Sequence, residues 1–392
     1  MTLAGRDIVC VGFADWETDL QTNQHHLMSR LAAAGSRVLF VESLGLRRPQ
    51  LVGRDVRRIA RRVRRGLGGP RAVDGLHVLS PLVIPRHDRR WAQRANGWLL
   101  PRLVGAAAAR LGLRAPILWG YVPQAEALIE ALSPSLVIYH CVDDIAATKG
   151  IDAESFRAAE RRFARRADLV LASSRPLAER MRELSSNVLE VPNVADTARF
   201  AGALEPGPVD EALAALPRPR VAFTGAVVAT KLDFALLIAL AGQRPEWSFA
   251  LVGPVGVGDP HTDVSPLQRV PNLELLGARS YEDLPAVLRG ADAAVIPYAV
   301  NQLTASIFPM KVYEYLAAGL GVVATPLPSL QGVQGIEIAS DASAMAAKLS
   351  ALIEADSPER RAERSRRAAR HSWDARIEEI GRAVDELEAR HG

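Results

Sequence analysis

Residues 292–326 read DAAVIPYAVNQLTASIFPMKVYEYLAAGLGVVATP, and this stretch decides the fold. Its two short apolar runs, 293–297 and 322–325, are typical of buried strands. Pro309 suits the first turn of a helix, and Gly319 suits the residue just past its end. The stretch therefore predicts a strand, a long loop, a short helix and a second strand, which together form one βαβ unit of a parallel sheet.

The loop at 298–308 is longer than a strand-to-helix connection needs to be. Loops at the carboxyl end of parallel strands hold ligands in α/β proteins, and we expect free N–H groups at the start of the helix to face an anion. Lys311 is an unfavourable charge in the first turn, and Glu314 follows on the same side of the helix. The pair would suit a diphosphate and sugar hydroxyls; the alternative is two ordinary surface charges.

The pattern Pro309-x-Lys311-x-x-Glu314, ending at Gly319 and followed by Val-Val-Ala-Thr-Pro, resembles the donor-site helix of GT-B-fold glycosyltransferases. It is most similar to the retaining enzymes of the large group 1 family, in the branch that builds teichuronic acids and exopolysaccharides. In that family this glutamate binds the nucleotide ribose, and neighbouring residues hold the diphosphate. The resemblance implies a nucleotide-diphosphate sugar as donor substrate, no other cofactor, and retention at the anomeric carbon. It implies no metal, because Lys231, Lys311 and helix N–H groups would meet the diphosphate charge.

The composition is that of a soluble globular protein with two domains of ordinary size. The chain has 392 residues, of which 48% are apolar and 23% are charged. No apolar run reaches the roughly eighteen residues of a membrane span, and the N-terminus shows no signal pattern. We therefore expect a cytoplasmic protein. Cys10 and Cys141 both lie in apolar runs and are expected to be buried thiols, and nothing has metal-ligand spacing.

Strands alternate with helices along the whole chain, which predicts an α/β fold with doubly wound parallel sheets. No Gly-x-Gly-x-x-Gly fingerprint follows the first strand, which argues against a dinucleotide oxidoreductase. The resemblance implies two Rossmann-like domains that face a cleft, the GT-B arrangement. We expect an acceptor-side domain at 1–200, a donor domain at 201–372 and a final helix at 373–392 that crosses back to the first domain.

Polar residues in the first domain provide candidates for catalysis and for acceptor binding. His140, Asp143 and Asp144 stand where a strand gives way to a loop, the usual place for functional side chains in α/β folds. The family often has a histidine or an acid near this point, so the three are the predicted catalytic residues. Trp16 and Glu17 follow the first strand and are predicted to lie on the acceptor side. A structural role remains the alternative for His140, and a capped turn with a core tryptophan for the second pair.

The loop after the strand at 221–225 is a second predicted contact with the donor. Gly225 and Lys231 correspond to the glycine-containing loop and the lysine that meet the diphosphate in the resembled family. The family's arginine is missing, since Ala226 follows the glycine. The glycine-rich run at 253–258 lacks a following helix and a Lys-Ser or Lys-Thr ending, so it is interpreted as a plain flexible loop.

Two further groups complete the predicted donor site. Arg279 and Tyr281 are candidates for holding the nucleotide base, with simple helix capping as the alternative. The family has a second glutamate eight residues before Glu314, but Ser306 stands there. Asn301 and Thr304, together with Ser306, are the predicted substitutes for contacts with the donor sugar.

The segment Arg47 to Arg71 has the most unusual composition of the chain. Nine arginines lie between Arg47 and Arg65 against one acid, Asp55, and the apolar residues recur at helical spacing. A basic amphipathic helix is typical of an anionic membrane surface, so we expect docking at the inner face of the membrane, where a lipid-linked acceptor would lie. A solvated insertion is the alternative. Nucleic acid is not the expected partner, because no aromatic residues interleave.

The predicted function is transfer of a sugar from the nucleotide-diphosphate donor to an acceptor hydroxyl. The acceptor would be a sugar, a glycolipid or a lipid-linked compound used in cell-surface polysaccharide or glycolipid synthesis. Two alternatives from other classes stay open on the sequence. One is a nucleotide-sugar epimerase of the same fold, which needs no acceptor, and the other is a non-catalytic partner protein that kept the fold.

Overall fold

The computed structural model describes residues 3–18, 21–44, 68–84, 89–148, 150–257 and 259–391. The chain divides into two compact units, the first formed by Met1–Pro192 with Ile377–Gly392 and the second by Asn193–Arg376. The units thus separate after Pro192, whereas the sequence predicts a boundary after residue 200. Residues 47–67 of the arginine-rich segment lie outside the described residues.

The described part of unit 1 contains one sheet of eight strands. Its order is β3-β4-β2-β1-β5-β6-β7-β8, and every neighbouring pair is parallel except β3 with β4. The strand order reverses between β1 and β5, as in doubly wound folds. The bounds are β1 Asp7–Val11, β2 Arg37–Val41, β3 Arg71–Val73, β4 Leu76–Leu79, β5 Ile117–Gly120, β6 Leu136–Cys141, β7 Leu169–Ala172 and β8 Val188–Glu190.

Helices connect these strands, and the last helix of the chain starts in unit 2 and ends in unit 1. The bounds are α1 Asn23–Ala33, α2 Arg90–Arg110, α3 Ile129–Leu132, α4 Ala153–Arg166 and α5 Arg175–Arg182. Helix α2 contains Pro101 and continues through it without interruption. Cys10 and Cys141 are both buried free thiols, which confirms that prediction. Burial raises the pKa of Cys141 to about 12, so this thiol stays neutral.

Unit 2 contains a wholly parallel sheet of six strands within the described residues, in the order β11-β10-β9-β12-β13-β14. Here the strand order reverses between β9 and β12. The strands are β9 Arg220–Thr224, β10 Ser248–Val252, β11 Leu273–Gly277, β12 Ala293–Ile296, β13 Gly321–Ala324 and β14 Glu337–Ile338. The helices are α6 Thr197–Ala201, α7 Glu211–Ala214, α8 Phe234–Gln243, α9 Ser265–Gln268, α10 Leu284–Arg289, α11 Lys311–Ala317, α12 Ala342–Glu354, α13 Pro358–Ala368 and α14 Trp373–His391.

The βαβ unit predicted at 292–326 is formed by β12, α11 and β13. Both strands are completely buried, because helices cover both faces of a parallel sheet. Helix α11 ends at Ala317, two residues before Gly319, whose φ of +79° lies in the left-handed region that favours glycine. In the described ranges, no helix is both long enough and apolar enough to cross a membrane.

Candidate functional site

Gly225 and Lys311, two of the predicted donor-binding residues, lie against each other in unit 2. Gly225 follows the central strand β9 with φ +132°, and Lys311 opens helix α11. A Cβ atom on Gly225 would lie only 2.8 Å from the Lys311 ammonium nitrogen and closer still to the carbon that carries it. The backbone conformation therefore favours glycine here, and a Cβ atom would also displace the end of the Lys311 side chain.

Glu314 lies one turn after Lys311 and is 4% exposed. Burial raises the pKa of its carboxyl group, and the nearby Lys311 ammonium partly opposes that rise. Among the residues that the structure describes, none makes a hydrogen bond or an ion pair with the side chain of Glu314 or of Lys311. Buried polar groups in proteins almost always have a partner, so the buried Glu314 carboxylate, with the half-buried Lys311 ammonium beside it, is suited to a polar ligand.

The loop that begins at Gly225 is hydrogen-bonded to the loop that follows β10. Gly225 N–H donates to Val252 at 2.8 Å, and Val227 N–H donates to Pro254 at 2.9 Å. Gly253 approaches so closely that a Cβ atom there would collide with the Gly225 carbonyl group. The interpretation of 253–258 as a plain flexible loop is therefore wrong for its first residues, because they form a backbone support for the Gly225 loop.

The same loop is attached on its other side to the long loop after β12. The Lys231 carbonyl accepts a hydrogen bond from Ala299 N–H at 2.8 Å. The Asn301 amide donates to the Thr230 carbonyl at 3.1 Å. Lys231 itself is half-buried on this loop. The carboxyl ends of β9, β10 and β12 thus carry three loops that hold one another in place, at the edge where α/β proteins bind ligands.

Helix α11 is fixed to this edge by a contact that the sequence did not reveal. The Tyr315 hydroxyl, fully buried, accepts a hydrogen bond from Thr224 N–H at 2.8 Å. Thr224 directly precedes Gly225, so the bond sets the position of Lys311 and Glu314 relative to the glycine. A tyrosine inside an otherwise apolar buried run was the available signal, because a buried hydroxyl requires a partner.

The expectation of free N–H groups at the start of α11 is met only in part, because several of these groups are already bonded within the turn. Val312 N–H donates to Pro309 at 3.2 Å, and Tyr313 and Glu314 N–H donate to Met310 at 3.0 and 3.2 Å. Three of the early amides are thus already used inside the helix turn. The positive charge at this point comes from the Lys311 ammonium.

Asn301 and Thr304 use their polar groups to shape the loop. The Asn301 side-chain oxygen accepts hydrogen bonds from the N–H groups of Leu303 and Thr304 at 2.9 and 3.0 Å. The Thr304 hydroxyl donates to the Ala299 carbonyl and is completely buried. Ser306 lies half-buried at the end of the short 3-10 turn Thr304–Ser306. The first two residues therefore act in the first place on the loop itself.

Arg279 and Tyr281 lie on the segment between β11 and α10 and contact the start of the unit. The Arg279 guanidinium forms an ion pair with Asp210 at 2.6 Å and donates to the Leu276 carbonyl at 2.7 Å. This contact lowers the pKa of Asp210 and raises that of Arg279. The Tyr281 ring packs edge-on against Phe200, with centroids 5.6 Å apart. Both side chains thus make contacts that support the fold, and no hydrogen bond or ion pair in the described part of the chain connects them to Lys311 or Glu314.

Trp16 and Glu17, the predicted acceptor-side residues, lie on the loop after β1 in unit 1. Trp16 is 7% exposed and packs edge-on against Phe40, with ring centroids 4.9 Å apart. Its backbone N–H group donates to the Glu42 carboxylate at 3.1 Å. Glu17 forms an ion pair with Arg71 at 2.7 Å. Trp16 is thus a core residue, as in the alternative considered for it.

The three predicted catalytic residues have different surroundings at the end of β6. His140 is 2% exposed, and its ring stacks on Tyr121 with centroids 4.8 Å apart. Asp144 forms an ion pair with Arg157 at 2.6 Å, whereas Asp143 is half-buried on the loop between them. His140 and Asp144 are therefore built into the interior of unit 1.

A buried network of charged residues lies next to Asp144, and the sequence did not predict it. Glu160 is 2% exposed and accepts a hydrogen bond from the Tyr139 hydroxyl at 2.8 Å. It also forms ion pairs with Arg180 and with Arg157, the second at 3.3 Å. Arg157 thus links Asp144 to Glu160. Its members come from β6 and two helices, and nothing in the local sequence indicates that they meet.

Residues 218–355 match the family described as "Glycosyl transferases group 1". This range contains Gly225, Lys231, Lys311 and Glu314, and the match confirms the resemblance drawn from the pattern at 309–319. A curated relative from Bacillus subtilis, TuaH, has a name that assigns it to teichuronic acid biosynthesis as a glycosyltransferase. It is 30% identical over 230 residues, which are 55% of this chain and 57% of TuaH. The match thus spans little more than half the length of that relative.

Solved structures similar to this chain show its fold. HepE from Anabaena, in complex with UDP and glucose, has a TM-score of 0.66 at 13% identity, over 97% of this chain and 99% of that chain. The α,α-trehalose 6-phosphate synthase from Burkholderia multivorans has a TM-score of 0.65 at 12% identity, over 99% and 100%. The predicted fold class, two Rossmann-like domains of the GT-B type, is confirmed.

Proposed function

We propose that this chain, through the group 1 glycosyltransferase domain at residues 218–355, transfers a sugar from a nucleotide-diphosphate sugar to an acceptor hydroxyl. The observation that carries the proposal is the pair Lys311 and Glu314, which no described side chain or backbone group satisfies. The ammonium lies on a glycine loop and the carboxylate is buried one turn away. A diphosphate and the hydroxyls of a ribose supply complementary groups.

The chemistry of departure gives Lys311 a role in the reaction as well as in binding. When the bond between the anomeric carbon and the diphosphate breaks, its electron pair remains on the phosphate oxygen. The Lys311 ammonium, with Lys231 on the neighbouring loop, stabilises that developing charge. We infer that this suffices without a metal ion, and that the sugar is transferred with retention, as the resembled enzymes do. Glu314 accepts hydroxyl hydrogen bonds and fixes the nucleotide.

The comparisons support a uridine nucleotide sugar as the first donor to test, because HepE has been solved in complex with UDP-glucose. The name of TuaH supports an acceptor in cell-surface polysaccharide synthesis. We propose a lipid-linked or saccharide acceptor at the inner face of the membrane. Within unit 1 we favour Asp143 for the acceptor side, because His140 is enclosed by aromatic rings and Asp144 is paired with Arg157.

The test is a panel of nucleoside diphosphates in a thermal-shift assay, followed by calorimetric titration of the best one. We expect one diphosphate to stabilise the protein selectively, and Lys311→Ala and Glu314→Gln to lose most of that effect. Turnover is then followed as release of nucleoside diphosphate with and without added acceptor saccharides, in buffer containing EDTA. The anomeric configuration of the product is determined by NMR.

The outcomes separate the proposed transferase from its alternatives. A new sugar nucleotide formed from the donor alone would identify an epimerase. Unchanged nucleotide binding in Glu314→Gln, with no turnover in the unmodified protein, would identify a non-catalytic partner. Loss of turnover in EDTA that Mg²⁺ restores would overturn the metal-independent route, and an inverted product would overturn retention.

A further inference from the structure

Two tryptophans on helix α2 are exposed, unlike the other tryptophans of this chain. Trp91 is 60% exposed and Trp98 is 59% exposed. The remaining four are buried, with exposures of 7% for Trp16, 0% for Trp119, 6% for Trp247 and 2% for Trp373. An exposed tryptophan is unfavourable in water, and two on one helix are typical of a surface that meets another phase or a partner.

The two rings belong to a regular stripe along α2. Trp91, Arg94, Trp98 and Arg102 recur at spacings of three, four and four residues, which places them on one face of the helix. All four are exposed. We refer to these four residues as the tryptophan–arginine stripe.

The opposite face of α2 fixes the stripe in its outward position. Asn96 is buried, and its side-chain amide exchanges two hydrogen bonds of 2.8 Å with the backbone of Ile84. Leu100 and Val104 are buried in the core of unit 1. The helix therefore cannot turn its tryptophans inward without breaking this packing.

The charge of the stripe indicates what it meets. Helix α2 contains four arginines, at 90, 94, 102 and 110, and no aspartate or glutamate. The Arg102 guanidinium lies 4.1 Å from the centroid of the Trp98 ring. Tryptophan rings settle at the headgroup level of a bilayer, and arginine forms paired hydrogen bonds with phosphate. A helix that presents tryptophan and arginine on the same face is therefore suited to the headgroup region of an anionic membrane.

We infer that the tryptophan–arginine stripe docks this protein onto membranes that contain anionic phospholipids. The helix would lie in the plane of the interface with both indole rings among the headgroups, while Arg94 and Arg102 contact lipid phosphates. The stripe consists of residues other than those of the segment Arg47 to Arg71, on which the sequence-based membrane prediction rests. It also does not depend on the proposed transfer reaction, because lipid binding is measured without any donor.

The protein itself supplies the probe for the test. Because the other four tryptophans are buried, quenching of intrinsic fluorescence by brominated phosphatidylcholine reports mainly on Trp91 and Trp98. The full chain is mixed with vesicles of phosphatidylcholine alone or with 30 mol% phosphatidylglycerol, a composition chosen to be on the order of natural anionic surfaces. We expect sedimentation and quenching with the anionic vesicles, and at least tenfold weaker binding at high salt.

Variants then assign the binding to the stripe. We expect W91Q/W98Q and R94E/R102E each to reduce vesicle binding at least tenfold, with unchanged thermal unfolding because all four side chains are exposed. Arg110→Glu, an exposed arginine of the same helix outside the stripe, is the matched control and should change binding less than threefold. If a variant were to unfold, quenching in the unmodified protein still decides the question.

Three results would overturn the inference. They are equal binding to neutral and anionic vesicles, binding without quenching, and full binding by the stripe variants. A separate check covers the arginine-rich segment, where replacing the arginines at 57, 58, 61 and 62 by glutamine should leave the fluorescence quenching in place. Self-association of the unmodified protein that W91Q/W98Q abolishes, without lipid binding, would instead assign the stripe to a contact between two copies.

Discussion

The end of the Lys311 side chain packs directly against the backbone of Gly225. The lysine side chain fills the space that a Cβ atom on residue 225 would need. Lys311 is half-buried and forms no ion pair or hydrogen bond through its side chain among the described residues, although it interacts electrostatically with Glu314 one turn away. An ammonium that is held against a backbone loop and forms no ion pair with the protein is available to bind an anionic ligand.

Lys311→Ala is expected to weaken binding of a nucleoside diphosphate by about 10- to 100-fold, since a hydrogen bond to a charged group contributes roughly 1.5–3 kcal/mol. Binding of the corresponding nucleoside, which lacks the diphosphate, should be nearly unchanged. Isothermal titration of both ligands measures the difference. Lys348→Ala is the matched control, because Lys348 is a partly exposed lysine of the same unit paired with Glu337 at 2.7 Å. Equal losses for the two ligands would contradict a role at the phosphates.

Glu314→Gln should improve stability while it reduces nucleotide binding. Burial raises the pKa of this carboxyl group, so keeping it ionised at neutral pH costs folding free energy. Removing the charge is expected to stabilise unit 2 by on the order of 1 kcal/mol, or roughly 2–4 °C in Tm. Calorimetric unfolding without ligand tests this, and a lower Tm in Glu314→Gln would show that the carboxylate has a stabilising partner.

The raised pKa of Glu314 also determines how the difference in stability between the unmodified protein and Glu314→Gln depends on pH. The cost of ionisation is complete above the raised pKa in the folded protein and is absent below the ordinary pKa of glutamic acid. The stability advantage of Glu314→Gln should therefore shrink as the pH falls through the acidic range. Unfolding in denaturant at a series of pH values measures it. An advantage that grew on acidification would have the wrong sign.

At the residue scale, the sequence predicted the local pattern and missed the distant partners. Lys311 and Glu314 were found because one turn of helix brings them together whatever the rest of the fold does. The ion pair of Arg279 with Asp210 could not be predicted, because Asp210 lies far away in sequence. The ion pair of Asp144 with Arg157 was missed as well, since Arg157 comes from a later helix.

The elements of unit 2 meet the ligand edge through loops that are joined backbone to backbone. Tyr315 fastens α11 to the end of β9, and the hydrogen bond from Val227 to Pro254 fastens the Gly225 loop to the loop after β10. The glycine-rich run at 253–258 looked flexible from its composition. Such cross-strand contacts depend on strand order, and the sequence predicts strands more directly than their neighbours.

Gly253→Ala tests this support at the scale of the element. The new methyl group would collide with the Gly225 carbonyl, so the two loops must separate. We expect a loss of about 1–3 kcal/mol in stability and at least tenfold weaker nucleotide binding. Gly242→Ala is the control, because an added Cβ atom there meets no atom within 4 Å. Its effect should stay within about 1 kcal/mol. Full nucleotide affinity in Gly253→Ala would contradict the supporting role.

At the scale of the whole molecule, alternating strands and helices predicted two Rossmann-like domains, and the fold confirms them. The division of the chain is less visible in sequence. The residues from Ile377 onward belong to unit 1, although unit 2 precedes them in the chain. The continuous helix α14 therefore begins in unit 2 and ends in unit 1. The helical spacing of apolar residues does not show at which residue a helix passes from one unit to another.

Removing residues 377–392 should destabilise unit 1 and spare unit 2. Ile377, Ile380, Val384 and Leu387 are all buried, and burying each such side chain contributes about 1.5–3 kcal/mol. The ion pair of Arg6 with Glu388 is partly exposed and should contribute about 1 kcal/mol at most. Arg6→Ala is therefore the matched control with little effect.

Hydrogen exchange followed by mass spectrometry resolves the two units in this experiment. In the chain truncated after Arg376, amides of β1 and β2 should exchange at least tenfold faster, whereas amides of β9 and β12 should keep their rates. Nucleotide binding should persist, because the Lys311 pair and its three loops lie wholly within unit 2. Faster exchange in both units would mean that the truncation acts on the entire chain, and unchanged exchange in β1 and β2 would mean that the apolar side of α14 contributes little to unit 1.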